Sequence, residues 1–165
     1  MGEVTLLIMT GVHNASEAET MMAGARQAIT QDITERARTV AGIAEIVLST
    51  NAPALADWAA ARGVSVERDP PGVKFHFGQR LGELARQYHA QRLFYMGGGS
   101  GALLSGEEIA RIAARVRAAD RILITNNFYS TDCAARWRRR ATPHYQQLLL
   151  DRFCCVRAGE RSAGH

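Results

Sequence analysis

Long apolar runs are missing from this sequence of 165 residues. A membrane-spanning helix needs roughly 18 consecutive apolar residues, and no stretch here approaches that length. The first apolar run, Val4 to Met9, has no basic residues before it, so we expect a first strand there and no secretory signal. These absences predict a cytoplasmic protein without a membrane partner, and the length fits one domain with a substantial core.

Cysteine is scarce, and all three cysteines lie near the end of the chain, at Cys133, Cys154 and Cys155. An odd number gives no complete disulfide framework, and two adjacent cysteines do not have the spacing of a zinc site. We therefore interpret them as unpaired thiols and expect neither a disulfide scaffold nor a zinc knuckle.

The positive charge is confined to one end of the chain. Residues 133–165 contain seven arginines and two acidic residues, so the rest of the chain carries a net charge of −1 although the whole carries +4. Nucleic-acid-binding domains usually carry a basic face on the folded body. A nucleic-acid partner is therefore not expected, although the tail alone leaves charge-driven binding open.

Apolar runs and helical patterns alternate along residues 1–132, which is typical of βαβ units and a parallel sheet. Ser16 and Ser105 each precede a glutamate by three residues, as in helix-starting capping boxes. The pattern predicts a three-layer α/β/α fold with a mostly parallel sheet. The predicted strands are Val4–Thr10, Ala44–Leu48, Val64–Glu67, Arg92–Met96 and Arg121–Thr125, and the predicted helices are Ser16–Val40, Pro53–Gly63, Phe77–His89 and Ser105–Ala118.

The sequence changes character at Cys133. We divide it into an α/β domain at 1–132 and a basic tail at 133–165, with one helix from Tyr145 to Phe153 that could dock at the periphery. A second interpretation is that the tail results from a shifted reading frame in GC-rich DNA, which would produce Arg/Ala-rich sequence.

Two glycine-containing loops follow predicted strands, Thr10-Gly11 and Gly97-Gly98-Gly99-Ser100. Open parallel sheets bind ligands outside the carboxyl ends of their strands. Consecutive glycines let N–H groups point toward an anion, so we expect Thr10, Gly11 and Gly97 to Ser100 to bind phosphate. Neither loop has the P-loop ending, and Ala102 replaces the third glycine of the dinucleotide fingerprint. A tight turn without a ligand is the alternative.

Three further residues are candidates for the nucleotide site, Lys74, Gly78 and Asp132. Gly78 ends the loop that begins at Gly72, and we expect it to contact the nucleotide. Lys74 is the only lysine of the chain and is followed in this loop by Phe75 and Phe77. It could neutralise phosphate while a ring stacks on a base, or it could be a solvated surface lysine. Asp132 follows the fifth predicted strand and could supply one carboxylate to Mg²⁺, or it could cap a turn.

The segment Phe77 to Ile109, FGQRLGELARQYHAQRLFYMGGGSGALLSGEEI, together with the order of elements over residues 4–132, resembles the nucleotidyltransferases of glycosyltransferase-A-like fold. Molybdenum-cofactor and 2-phospho-lactate guanylyltransferases are the types it is most similar to. The resemblance implies a Rossmann-like, nucleotide-diphospho-sugar-transferase-like sheet. It also implies binding of a nucleoside triphosphate such as GTP with Mg²⁺, and transfer to a small phosphorylated or cofactor acceptor.

The resemblance and the βαβ alternation together predict the order 3-2-1-4 for the first four strands, with Gly11 and Gly97 at one edge. Gly97 to Ser100 stand where the family has an acidic metal-binding motif, and Gly11 to Ala15 lack the usual Arg and Lys. A non-catalytic ligand-binding or assembly module on the same fold is therefore the second functional hypothesis.

Overall fold

A computed structural model describes residues 3–12, 16–69, 75–119, 122–126 and 133–137. Within these ranges, strands and helices alternate almost as the sequence predicts. The elements are β1 (Val4–Thr10), α1 (Glu17–Arg38), β2 (Ile43–Thr50), α2 (Pro53–Ala60), β3 (Ser65–Arg68), α3 (Phe77–Gln87), β4 (Arg92–Gly97), α4 (Gly106–Ala118), β5 (Ile122–Thr125) and β6 (Cys133–Trp137).

The six strands form one sheet in the order β3-β2-β1-β4-β6-β5. The pairs among β1, β2, β3 and β4 are parallel, which confirms the predicted order of the first four strands. Thr10 pairs with Thr50, Thr50 with Arg68, and Met9 with Gly97. The carboxyl ends of these four strands therefore meet at one edge of the sheet.

The strand β6 corrects the expectation that the segment from Cys133 lies outside the domain. It runs antiparallel between β4 and β5, and Ala134 and Ala135 on it are buried. Its short sequence, CAARW, has no alternating apolar pattern and few residues typical of strands, so it carried no strand signal. The predicted tail helix and residues 138–165 lie outside the described residues, so their peripheral position stays a prediction.

Helices cover both faces of the sheet, which confirms the three-layer α/β/α architecture. On one face α1, α2 and α4 pack on a core that includes Leu6, Ile8 and Phe94. On the other face α3 packs through Leu81 and Leu84 against alternate side chains of the same strands. The alternation follows from the two-residue period of a strand, which points successive side chains to opposite faces.

Local capping explains where two of the helices begin. Ser16 accepts a hydrogen bond from the Glu19 N–H at 3.2 Å. Ser105 and Glu108 form a reciprocal capping box, with the Glu108 N–H donating to the Ser105 hydroxyl and the Ser105 N–H donating to the Glu108 carboxylate. These contacts satisfy N–H groups that have no partner in the first helical turn. In the ranges described, no helix is both long and apolar enough to span a membrane.

Candidate functional site at the strand ends

The loops after β1 and β4 lie side by side at the carboxyl edge of the sheet. Met9 pairs with Gly97, and the Gly98 N–H donates to the Met9 carbonyl at 2.7 Å. This confirms the prediction that Gly11 and Gly97 are close at one edge. The chain moves from β1 to one side for β2 and β3, and then returns to the other side of β1 for β4. The two loops therefore flank the topological switch point of the sheet.

Packing accounts for two of the glycines in the loop after β4. A β-carbon at Gly98 would lie 2.1 Å from Oγ1 of Thr10, the buried last residue of β1. Gly101 has φ +73°, and a β-carbon there would lie 2.2 Å from Met96 Cε. Thr10 excludes a side chain at Gly98, and the positive φ disfavours one at Gly101, where the Met96 side chain could move aside. The tight-turn interpretation is therefore sufficient for both glycines.

Hydrogen bonds within the segment Gly97–Ser100 fix its turn. The Ser100 N–H donates to the Gly97 carbonyl at 3.0 Å, and the Ser100 hydroxyl donates to the same carbonyl. The Gly99 N–H donates to none of the residues in the described ranges. Gly99 has φ +90°, a conformation that side chains disfavour. The loop thus holds a fixed turn with an available donor at Gly99.

A surface cleft of about 360 Å³ separates this loop from α1. The loop contributes the glycine-rich segment that sequence analysis selected, and α1 contributes one basic and three apolar side chains. A cleft of this size can hold a small organic ligand. Its lining residues are Met22, Ala25, Arg26, Ile29, Gly97, Gly98, Gly99 and Ser100.

Arg26 is the cationic group among the described residues of this cleft, and no sequence motif points to it. It is half-buried, and a β-carbon at Gly99 would lie 3.0 Å from its Cγ, so its aliphatic stem lies on the loop backbone. None of the ion pairs among the described residues involves Arg26. The only sequence signal was its helical spacing from Met22 and Ile29, which is also typical of ordinary surface positions.

A second α1 arginine fixes the far end of the same loop. Nη1 of Arg36 donates to the carbonyls of Ala102 and Leu104, at 3.0 and 2.9 Å. These bonds hold the segment that leads into α4 against α1. The wall of the cleft is therefore anchored at both ends, by Gly98 on β1 and by Arg36 on α1.

The loop after β1 is bound by Asn51, the residue that follows β2. Asn51 accepts a hydrogen bond from the Val12 N–H and donates one to the Val12 carbonyl. Gly11 lies between this contact and the buried end of β1, so its backbone position is set from both sides. No local pattern in the sequence marks Asn51, because its partner Val12 is 39 positions away.

A half-buried ionic network lies at the ends of β2 and β3. Arg80 from α3 donates to Asp69 at 3.1 Å and lies 3.7 Å from Glu67. Asp69 also accepts from Ser49, and Glu67 accepts from the Tyr88 hydroxyl at 2.8 Å. Burial and the Glu67 carboxylate raise the pKa of Tyr88 to about 12. The network joins α3 to the strand ends but occupies both carboxylates, so neither is available to a ligand without rearrangement.

Five predicted site residues are not among the residues that line the cleft. Thr10 is the buried last residue of β1 and Gly11 follows it, so both lie at the neighbouring strand end. Gly78 lies in the first turn of α3, on the opposite face of the sheet from α1, and does not line the cleft. Lys74 and Asp132 lie outside the described residues. Their roles in binding phosphate and metal therefore stay predictions.

The donors in the described ranges do not fit a Mg²⁺ site by themselves. No group of three or more metal-ligating side chains occurs there, and β4 ends in glycines. Mg²⁺ takes one or two carboxylates together with phosphate oxygens. Cys133, which follows Asp132 in sequence, pairs with Met96 beside the glycine loop. Strand β6 therefore begins beside the loop that follows β4.

Solved structures share this architecture. The chain aligns with a putative nucleotide-diphospho-sugar transferase from Desulfovibrio desulfuricans G20 at TM-score 0.64 and 11% identity, covering 97% of this chain and 71% of that one. The fold is nucleotide-diphospho-sugar-transferase-like. A cytidylyltransferase from Leptospira borgpetersenii serovar Hardjo-bovis aligns at TM-score 0.61 and 16% identity, over 94% of this chain and 66% of that one.

A third structure, CMP:2-keto-3-deoxy-manno-octonic acid synthetase complexed with CTP, aligns at TM-score 0.59 and 13% identity, over 91% of this chain and 77% of that one. At such identities the likeness establishes the fold. No protein-family model matches the sequence, and no curated protein matches it.

Proposed function

We propose that this protein binds a nucleoside triphosphate at the carboxyl edge of β1 and β4 and transfers its nucleotidyl group to a small phosphorylated or cofactor acceptor. In this reaction an acceptor oxygen attacks the α-phosphorus, the bond to the bridging oxygen breaks, and pyrophosphate leaves. The observation that carries the proposal is the position of both glycine loops at the topological switch point, where open α/β sheets bind their ligands.

The structural neighbours support a nucleotide as the ligand. One of them is a complex with CTP and another is named a cytidylyltransferase. The sequence resemblance points instead to guanylyltransferases and therefore to GTP. CTP and GTP are thus the first two nucleotides to test. A cytoplasmic protein would meet both.

Positioning and charge stabilisation would supply most of the catalysis, as for phosphate transfer generally. Backbone N–H groups of Gly11 and of the loop from Gly97 would contact phosphate, and Lys74 would neutralise charge. Asp132 would contribute a carboxylate to Mg²⁺. Because Lys74 and Asp132 lie outside the described residues, their part in the proposal rests on sequence alone.

A non-catalytic binding module is the second candidate. It is favoured by the glycines at the end of β4, the position at which the resembling enzymes have a metal-binding acidic motif. A module of this kind would bind the nucleotide without releasing pyrophosphate.

Isothermal titration of the full chain with CTP and GTP, with and without Mg²⁺, tests the proposal. We expect saturable binding of at least one nucleotide. Lys74→Ala should weaken it by about 1–3 kcal/mol, the scale of a hydrogen bond to a charged group. Arg111→Ala, at an exposed position on α4, is the matched control for charge.

Failure of both nucleotides to bind contradicts the proposal. Unchanged affinity in Lys74→Ala removes Lys74 from the site. Binding without pyrophosphate release, across a panel of phosphorylated acceptors, would favour the non-catalytic module.

A further inference from the structure

We infer that Arg26 is the phosphate-recognising side chain of the cleft between α1 and the loop Gly97–Ser100. The ligand class is a small molecule that carries a phosphate next to an apolar or aromatic group. The inference rests on the proposed function only for the identity of that molecule, since a nucleotide and a phosphorylated acceptor share this chemistry.

The surroundings of Arg26 differ from those of the other α1 arginines. Arg36 forms hydrogen bonds to two loop carbonyls and lies 3.8 Å from Asp32, and Arg38 pairs with Glu35 at 3.0 Å. Arg26 lines the cleft without a carboxylate partner in the part of the chain that the structure describes. Arg26, a half-buried residue next to an open cleft, is therefore available to an anion.

The stem of Arg26 lies against the glycine loop. Its Cγ would be 3.0 Å from a β-carbon at Gly99, so the two groups are in close contact. The available N–H of Gly99 belongs to the same residue. A guanidinium can form two parallel hydrogen bonds to phosphate, and a backbone N–H adds a third donor. The loop thus places two kinds of anion donor at one wall of the cleft.

The apolar part of the proposed ligand would contact the same face of α1 that carries Arg26. Met22, Ala25 and Ile29 line the cleft with Arg26, at the spacing that places residues on one side of a helix. Met22 is 50% exposed, although a large apolar side chain gains by burial. The fully buried residues of α1 begin at Thr30, and Ile29 packs partly against the core. The exposed Met22 and Ala25 are therefore the apolar side chains that α1 leaves to the cleft.

The charge of the residues that line the cleft favours an anionic ligand. Among the residues that the structure describes, no carboxylate lines the cleft and Arg26 is its one charged group. Phosphate matches both the guanidinium fork and the backbone donors. The volume of about 360 Å³ can hold a phosphate together with a ring or a short apolar body.

The test is calorimetric titration of the full chain with inorganic pyrophosphate in EDTA, so that no metal contributes. Arg26→Ala should weaken binding by about 10- to 100-fold, and Arg26→Lys should weaken it less because one charge remains. Arg111→Ala removes the same charge from a side chain that is 75% exposed on α4, and should leave the affinity unchanged. Thermal melting checks that each variant is folded.

The results separate this inference from the proposed function. The inference is overturned if the parent does not bind pyrophosphate or if Arg26→Ala binds it as tightly as the parent does. It is also overturned if Arg111→Ala weakens pyrophosphate binding as much as Arg26→Ala does. If CTP and GTP do not bind but Arg26-dependent pyrophosphate binding remains, the inference stands and the proposed nucleotide function fails. Displacement of pyrophosphate by a nucleotide assigns the phosphate to the nucleotide, and lack of displacement assigns it to the acceptor.

Discussion

Asn51 holds Val12 by two hydrogen bonds, one from the Val12 N–H to Oδ1 at 2.8 Å and one from Nδ2 to the Val12 carbonyl at 3.1 Å. The side-chain amide acts as one more rung of the β1–β2 ladder, beyond the last backbone pair of Thr10 with Thr50. The loop that contains Gly11 is therefore positioned by a side chain from the neighbouring strand.

Asn51→Ala should release this loop with only a small loss of global stability. Two exposed hydrogen bonds are lost, so we expect about 0.5–1.5 kcal/mol by chemical denaturation, together with faster hydrogen exchange of the Val12 amide. Gln79→Ala, which removes an exposed side-chain amide bonded to Glu83 on α3, is the control. An unchanged exchange rate at Val12 would show that the loop does not depend on Asn51.

Gly98→Ala should destabilise the fold by about 1–3 kcal/mol, because the new methyl group would overlap Thr10. Gly106→Ala is the matched control, since nothing lies within 4 Å of a β-carbon there and the residue begins α4. Alanine suits a helix better than glycine, so this control should be neutral or slightly stabilising. Equal melting temperatures for the two variants would contradict the packing explanation.

Ala135→Asp tests whether β6 belongs to the core. Ala135 is 1% exposed, so an aspartate there would be a buried carboxylate without a partner, and we expect a loss of at least about 3 kcal/mol by chemical denaturation. Leu123→Asp on the neighbouring β5 is the control, because Leu123 is 41% exposed. A similarly small effect at both positions would argue against the central place of β6.

Truncation after Tyr145 complements this substitution, because it retains β6 and removes most of the predicted tail. If the tail is peripheral, the melting temperature should change little. Loss of the cooperative transition would show that residues 146–165 complete the core.

Tyr88 should make the stability depend on pH in the alkaline range. Its pKa is raised to about 12 by burial and by Glu67, whereas an unfolded tyrosine titrates near 10. The folded state therefore holds the phenol proton more tightly, so the stabilisation is complete below pH 10 and is lost as the pH rises from 10 to 12.

Urea denaturation of the parent and of Tyr88→Phe at several pH values measures this effect. Because Tyr88 is half-exposed, we expect the difference between them to be only about 1 kcal/mol at neutral pH and to disappear near pH 12. A difference that stays constant from pH 8 to 12 would mean that the hydroxyl does not titrate with folding.

Much of the fold was readable from the sequence because its signals are local. The apolar run at Val4, the capping serines at Ser16 and Ser105, and the proline that begins α2 each depend on neighbours within four residues. The glycine loop after β4 was also readable, because four small residues directly follow an apolar strand.

Tertiary structure alone decided the rest, because the deciding contacts join positions far apart in the chain. The register of β1 with β4 is what presses Gly98 onto Thr10, and the sheet order is what inserts β6 between β4 and β5. The course of α1 past the glycine loop brings Arg26 to Gly99, 73 positions later in the sequence. Residue type and local periodicity carry no information about such pairs. The sequence therefore predicted the helices, the strands and one loop of the site. The tertiary structure placed the cationic side chain, Arg26, and the residues that line the cleft.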